Sequence, residues 1–181
     1  MKHPTNSILS LCFLLLTCLN CSAGRTSGKA LLKEQKPLVA VFDFEQEGFL
    51  AGEKLGGFAA DELSLALFTG NNWEIIDRAQ VKAATLQLNL ETSALSVDQI
   101  KSFERVTRAD LLILGKLIRL DANNFDPEKR DSSSIEIAFR LISAGDGSVV
   151  GMFSRFAKCK GELRKFLSEQ LNRMSGLVRW Q

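Results

Sequence analysis

The sequence predicts an α+β domain: a mixed sheet of about five strands flanked by about four helices, in the order β-α-β-α-α-β-β-β-α. Three observations predict it. Short runs rich in β-branched and aromatic residues alternate with longer segments whose apolar residues recur every three to four positions. The last two strands are joined through Asp146-Gly147, the strongest short hairpin signal in the chain. The part of the chain behind residue 36, about 145 residues long, is enough for one proper hydrophobic core.

Taken in order, LVAVFDF (38–44) follows Pro37 and reads as a buried first strand. A helix over 53–69 places Leu55, Phe58, Ala59, Leu63, Ala66 and Leu67 in one apolar stripe and stops at Gly70-Asn71-Asn72. WEII (73–76) is a short second strand. Asp77 and Gln80 then form a capping-box pattern that starts a helix carrying Val81, Ala84 and Leu88. Ser96 to Gln99 start another helix, reaching Arg108, with Val97, Ile100 and Phe103 turned inward. LLILGKLIRL (111–120) is a third strand, and 121–134 is a polar loop containing Pro127. IEIAFRLI (135–142) and SVVGMFSRF (148–156) make the hairpin. A final helix over 161–178 sets Leu163, Phe166, Leu167, Leu171, Met174 and Val178 on one face.

Ahead of this domain, residues 1–20 have the order of an export signal: Lys2 and His3, the apolar run ILSLCFLLLTCL, then small residues. That run is too short to span a bilayer, which takes about 20 residues. The stretch CLNCSAG (18–24) resembles a relaxed bacterial lipobox with Cys21 as the lipidated first residue of the mature chain. Three alternatives stay open: lipidation at Cys18, preceded by Leu15, Leu16 and Thr17, ordinary signal-peptidase cleavage after Ala23, and a retained anchor. Residues 21–36 are small and polar at first and read as a flexible tether of at most about 50 Å. The α+β domain occupies 37–181.

Composition narrows the chemistry. Loss of residues 1–20 leaves 22 bases against 21 acids, a poor balance for a dedicated nucleic-acid binder. The charges are segregated, with six acids against Lys54 over 42–62 and seven bases against Glu162 and Glu169 over 155–181, which suits docking on another protein. The single histidine, His3, lies in the signal and there is no tyrosine, so imidazole or phenol catalysis is excluded from the mature chain. Cys159 is then without a thiol partner in the domain, which excludes an internal disulfide and a Cys/His zinc site.

Several residues invite a chemical reading. Asp43, Glu45 and Glu47 alternate at the end of the first strand and project to one side if it continues, as an acid pair or metal site requires; a solvated strand end is the simpler account. Gly52, Gly56 and Gly57 are similar to a phosphate loop but lack its Gly-Lys-Ser/Thr, which favours close helix packing. Cys159 lies between Lys158 and Lys160, neighbours that lower a thiol pKa, but without a histidine it reads as a bystander or an occasional intermolecular crosslink. Phe125 and the bases Arg164, Lys165, Arg173 and Arg179 are candidate contact surfaces, although a charged helix face is usually only a solvated one. No catalytic, cofactor-binding or metal-ligating residue is assigned, and no cofactor is expected.

The ordered motifs VAVFDF, WEIIDR, RADLLILGKL and RLISAGDGSVV resemble the CsgG-like domain family of bacterial envelope lipoproteins, which includes CsgG, FlgO and LpoB. The resemblance covers 37–157. It implies structural roles for Arg78 after the second strand, Gly115 in the third and Gly147 in the turn. Arg108-Ala109-Asp110 stands where the family often has Gly-Ala-Asp. The secretion-channel members carry long membrane hairpins, and the polar 121–134 loop is too short for one. The resemblance therefore implies a non-enzymatic accessory lipoprotein, facing the periplasm from the outer membrane through its lipid anchor and binding an envelope protein, or a second copy of itself. A CsgG-type secretion channel subunit and a small periplasmic hydrolase using acidic residues are the alternatives.

Overall fold

Strand β1 (Leu38–Val41) opens the domain and lies inside its sheet, paired on both sides. The computed structural model describes residues 36–49, 54–71, 73–120 and 132–178, all within the compact unit Lys36–Gln181. The expected signal, most of the tether, Cys18, Cys21, Gly52, residues 121–131 of the expected loop with Phe125, and Arg179 lie outside these residues. After β1 come β2 (Glu45–Glu47), helix α1 (Leu55–Asn71), β3 (Glu74–Ile75), α2 (Arg78–Gln87), a 3-10 turn (Thr92–Ala94) and α3 (Val97–Thr107). The chain continues through β4 (Leu111–Arg119), β5 (Ser132–Ser143), β6 (Val149–Lys160) and α4 (Leu163–Ser175). The predicted α+β class and element order hold. The sheet has six strands in the order β3-β1-β4-β5-β6, with β2 also on β4.

The sixth strand arises because the predicted first strand is broken. Val41 pairs with Ile113 and Glu45 with Lys116, so the first strand advances four residues while β4 advances three. The extra residue is a bulge, and it reverses the alternation of side chains. Before it, Val39 and Val41 lie on one face with Leu111 and Ile113, and Ala40 and Phe42 on the other. After it, Phe44 joins the first face, and Glu45 and Glu47 turn to the second.

The first face is covered by α1 and α4. Leu63 and Leu67 of α1 and Leu167 and Leu171 of α4 are fully buried against β1, β4 and β5, each such side chain stabilising the fold by about 1.5–3 kcal/mol. Ser168 Oγ donates to Glu62 Oε2 at 2.5 Å and joins the two helices. The apolar stripes expected on both face the sheet, with Phe58, Leu163 and Phe166 half-buried at their margins.

On the second face, Val81 and Ala84 of α2 and Ile100 and Phe103 of α3 pack on Ala40, Phe42, Leu112 and Ile142. Asp77 caps α2 by accepting from Ala79 N at 2.7 Å, and Ser96 and Gln99 form a complete capping box on α3. Val97 differs from expectation: it is 45% exposed and lies over the Gly147 turn, where an added Cβ would sit 3.1 Å from its Cγ2. Gly147 has φ 75°, the conformation the hairpin turn requires.

Arg108 closes α3 in the left-handed conformation, φ 60° and ψ 25°, with its N–H donating to Glu104 O. That is a conformation glycine adopts more readily than any other residue. An L-residue there costs about 1 kcal/mol. Arg108→Gly therefore raises stability by about that amount and the melting temperature by a few degrees, read by thermal unfolding; an unchanged or lower melting point would show that the arginine makes compensating contacts.

The turn also carries a pH signature. Asp146 Oδ1 accepts from Ser148 N at 3.0 Å and from Ser148 Oγ at 2.8 Å. Hydrogen bonding from Ser143, then Ser148, holds its pKa at about 2 against an ordinary 3.8. A depressed pKa means the folded state favours the carboxylate, so this contribution is complete above about pH 4 and is lost as pH falls through about 2. Exchange of the Ser148 amide, corrected for its intrinsic rate, accelerates across that window, and Asp146→Ala removes the pH dependence.

Candidate functional site

The helices α2 and α3 cover only half of the second face. Beyond Leu114, the outward residues of β4, β5 and β6 lie outside that packing, and a groove of about 530 Å³ runs over them. Its floor includes Leu114, Gly115 and Ala138, and Thr92 and Ser93 of the 3-10 turn line it as well. Strand register sets its chemistry row by row. Glu45, Lys116, Ala138 and Ser154 stand side by side across four strands. The row toward the helices is Leu114, Arg140 and Met152, and the row beyond is Glu47, Ile118, Glu136 and Phe156. Small side chains at Ala138 and Ser154 make the depression between those larger neighbours.

Met152 is 78% and Phe156 58% exposed, a pair of large apolar side chains at the open end of the face. Glu136 accepts from Ser154 Oγ at 2.9 Å, and Lys116 Nζ lies 2.6 Å from Glu47 Oε2. The Glu47 hydrogen bond, and then its charge, raise the Lys116 pKa. The surface therefore offers apolar contact framed by both signs of charge.

The bulge places Asp43, Glu45 and Glu47 along this face, as the alternation suggested, but in separate engagements. Asp43 pairs with Arg78 and lies 3.9 Å from Lys82 Nζ, Glu47 pairs with Lys116, and Glu45 lines the groove. Among the described residues no three His, Cys, Asp or Glu side chains are grouped closely enough to hold a metal ion. Arg78 ties the region together: Nη1 donates to Gly57 O at 3.2 Å and sits 3.2 Å from Asp61 Oδ1, while Nη2 reaches Asp43. It clamps the starts of α1 and α2 to the bulge.

Of the glycines near α1, Gly56 is a packing glycine, whereas a Cβ on Gly57 would make only ordinary contacts. Gln46 Oε1 accepts from Leu55 N and Gly56 N, both at 3.1 Å, so a side-chain carbonyl already occupies the helix start that a phosphate would need. A Cβ on Gly56 would lie 2.0 Å from Phe44 O, and one on Gly115 2.3 Å from the Phe44 ring. Cys159 is buried, and burial raises its thiol pKa, opposite to the direction suggested by its lysine neighbours. Arg164 stacks over the Phe58 ring at 5.1 Å, and Lys165 and Arg173 are exposed.

Sequence reasoning passed over Arg140, Met152 and the Thr92-Ser93 turn. The signal was present in the period of β5: Ile135, Ile137, Phe139 and Leu141 are buried, leaving Glu136, Ala138 and Arg140 to define an opposite face.

No protein-family model matches the chain. No curated protein matches it either. Solved structures do. PelC from Paraburkholderia phytofirmans, a dodecamer, superimposes with a TM-score of 0.53 at 15% identity, over 81% of this chain and 90% of that one. Lipoprotein GNA1162 from Neisseria meningitidis superimposes with a TM-score of 0.53 at 10% identity, over 76% and 94%. The fold is shared with a bacterial lipoprotein. The C-terminal domain of LpoB from Escherichia coli matches more loosely, at a TM-score of 0.49 and 12% identity over 67% and 82%.

Proposed function

We propose that this protein is a non-enzymatic accessory lipoprotein of the bacterial envelope, whose CsgG-like domain docks a protein of a larger envelope assembly on the open half of its sheet. The observation that carries the reading is the uncovered face around Met152 and Phe156, bordered by Glu45, Glu136, Lys116 and Arg140. Isolated apolar residues on a surface are ordinary, but two such side chains beside a groove mark a contact site. The carboxylates nearby hold lysine and arginine side chains of the same domain, which supports a structural role for them over a hydrolytic one.

In this reading residues 1–20 are an export signal, Cys21 carries the lipid, 21–36 is the tether and 37–181 the docking domain, held at the outer membrane and facing the periplasm. More than one acyl chain makes such attachment durable, at about 0.8 kcal/mol per buried CH₂. The likeness to lipoprotein GNA1162 supports the anchored arrangement, and the dodecameric PelC supports a second copy as a further partner.

Two measurements test it. Cys21→Ala abolishes incorporation of labelled fatty acid and moves the protein to the soluble fraction, while Ala23→Leu changes little; the reverse pattern establishes an unlipidated periplasmic protein, and loss of label in Cys18→Ala alone moves the lipid three residues earlier. In cells, a photo-crosslinking residue at Met152 or Phe156 captures a discrete envelope protein, and one at Leu65 on the outer side of α1 does not. Equal capture at all three positions removes the docking assignment.

A further inference from the structure

The outermost strand, β6, is twelve residues long, and among the described residues it pairs only with β5. Its free edge presents backbone N–H and C=O groups that template another strand. The described charges on that edge have one sign, Arg155 and Lys158 with no acid, and Arg164 and Lys165 follow on α4 after Glu162. Natural edges carry lysine to repel strands like themselves. A strand bearing carboxylates meets the opposite situation.

Arg155 adds an independent observation. It pairs in register with Ile137 and so belongs to the helix-covered face, where its Nε is buried and has no hydrogen-bond partner. A buried guanidinium nitrogen without an acceptor is costly, and an acceptor arriving on the adjacent strand would satisfy it. On the open face the successive neighbours of an added strand are Met152, Ser154, Phe156 and Lys158.

Resting on the docking reading above, we propose that the partner contributes an extended, acidic segment that adds as a strand to the β6 edge. Its apolar side chains pack on Met152 and Phe156, and its carboxylates pair with Lys158 on one face and with Arg155 on the other. Main-chain hydrogen bonds hold the segment, and alternating side chains select it. The surface is an extension of the sheet and not a pocket.

The test uses the full-length exported protein in detergent and three blocked nonapeptides of valine and threonine. One carries glutamates three residues apart, one has lysines in those places, and one is the glutamate peptide N-methylated at alternate residues. The glutamate peptide binds and slows amide exchange along 149–159; the lysine and N-methylated peptides bind at least about tenfold more weakly. Lys158→Glu, at an exposed position, reverses the preference between the glutamate and lysine peptides, and Arg155→Gln weakens the glutamate peptide alone. Equal binding of the N-methylated peptide, or protection confined to the groove, overturns strand addition. So does concentration-dependent self-association that Lys158→Glu abolishes in the absence of peptide binding, which gives the edge to a second copy. Crosslinking at Met152 in cells without peptide protection of β6 leaves the docking reading standing and removes this one.

Discussion

Gly56→Ala destabilises the domain by about 3 kcal/mol, the largest loss expected from adding one methyl group to it. The new Cβ would lie 2.0 Å from the carbonyl oxygen of Phe44, a backbone atom that cannot rotate aside. Separation of the two segments is opposed by their own hydrogen bonds, Phe44 N to Gly56 O at 3.2 Å and Leu55 and Gly56 N to Gln46 Oε1. Gly115→Ala is milder, because its Cβ meets the Phe44 ring, although that ring is also held edge-on against Phe139 at 6.5 Å. Gly70→Ala is the control: nothing lies within 4 Å of its Cβ, and alanine is the better helix former by about 1 kcal/mol. Urea unfolding of the three variants gives the order Gly56→Ala, Gly115→Ala, wild type, Gly70→Ala from least to most stable. A Gly56→Ala protein within about 0.5 kcal/mol of wild type would mean that α1 and the bulge are not in this contact.

Phe103→Ala costs about 3–5 kcal/mol, the range for deleting a buried ring and leaving its cavity. Phe103 is completely buried and its ring centroid lies 4.9 Å from that of Phe42 at a 44° tilt. With Ile100 it makes up the buried side of α3, so the loss falls on the attachment of that helix. The turn Thr92–Ala94, which walls the groove, lies just before α3 and loosens with it. Hydrogen exchange distinguishes local from global effects: amides of 97–107 in the variant lose protection first, while β4 and β5 remain protected. Uniform loss across the sheet would show that α3 is integral to the core and not a layer added to it.

Those two residues also mark how far the sequence could be read. Phe103 was legible because three-to-four spacing with Ile100 forces an inner face, and the same logic holds for α1, α4 and the alternation in β5. Gly56 was legible as a packing glycine but not its opposite number, since Phe44 comes to it only through the bulge. A bulge leaves no mark in composition; it appears when register is counted against β4. Val97 fitted the inner spacing of α3, yet it sits in the first turn, over Gly147 in the turn that joins β5 to β6. For Cys159 only the direction of the pKa shift differed, because neighbours in sequence are on opposite faces of a strand: Lys158 points away from the thiol, and burial raises its pKa. The groove required tertiary knowledge of which half of the sheet α2 and α3 leave bare.

The extra residue in the first strand acts as a parity switch. Deleting one residue from 42–44 would turn everything after it by half a revolution, sending Glu45 and Glu47 beneath α1 and α4 and bringing Gln46 out, away from the amides it caps. Substitutions at the acidic positions alter local contacts and leave the register unchanged. A change in length there exchanges inside for outside over the whole segment, so this stretch tolerates variation in spelling far better than variation in count.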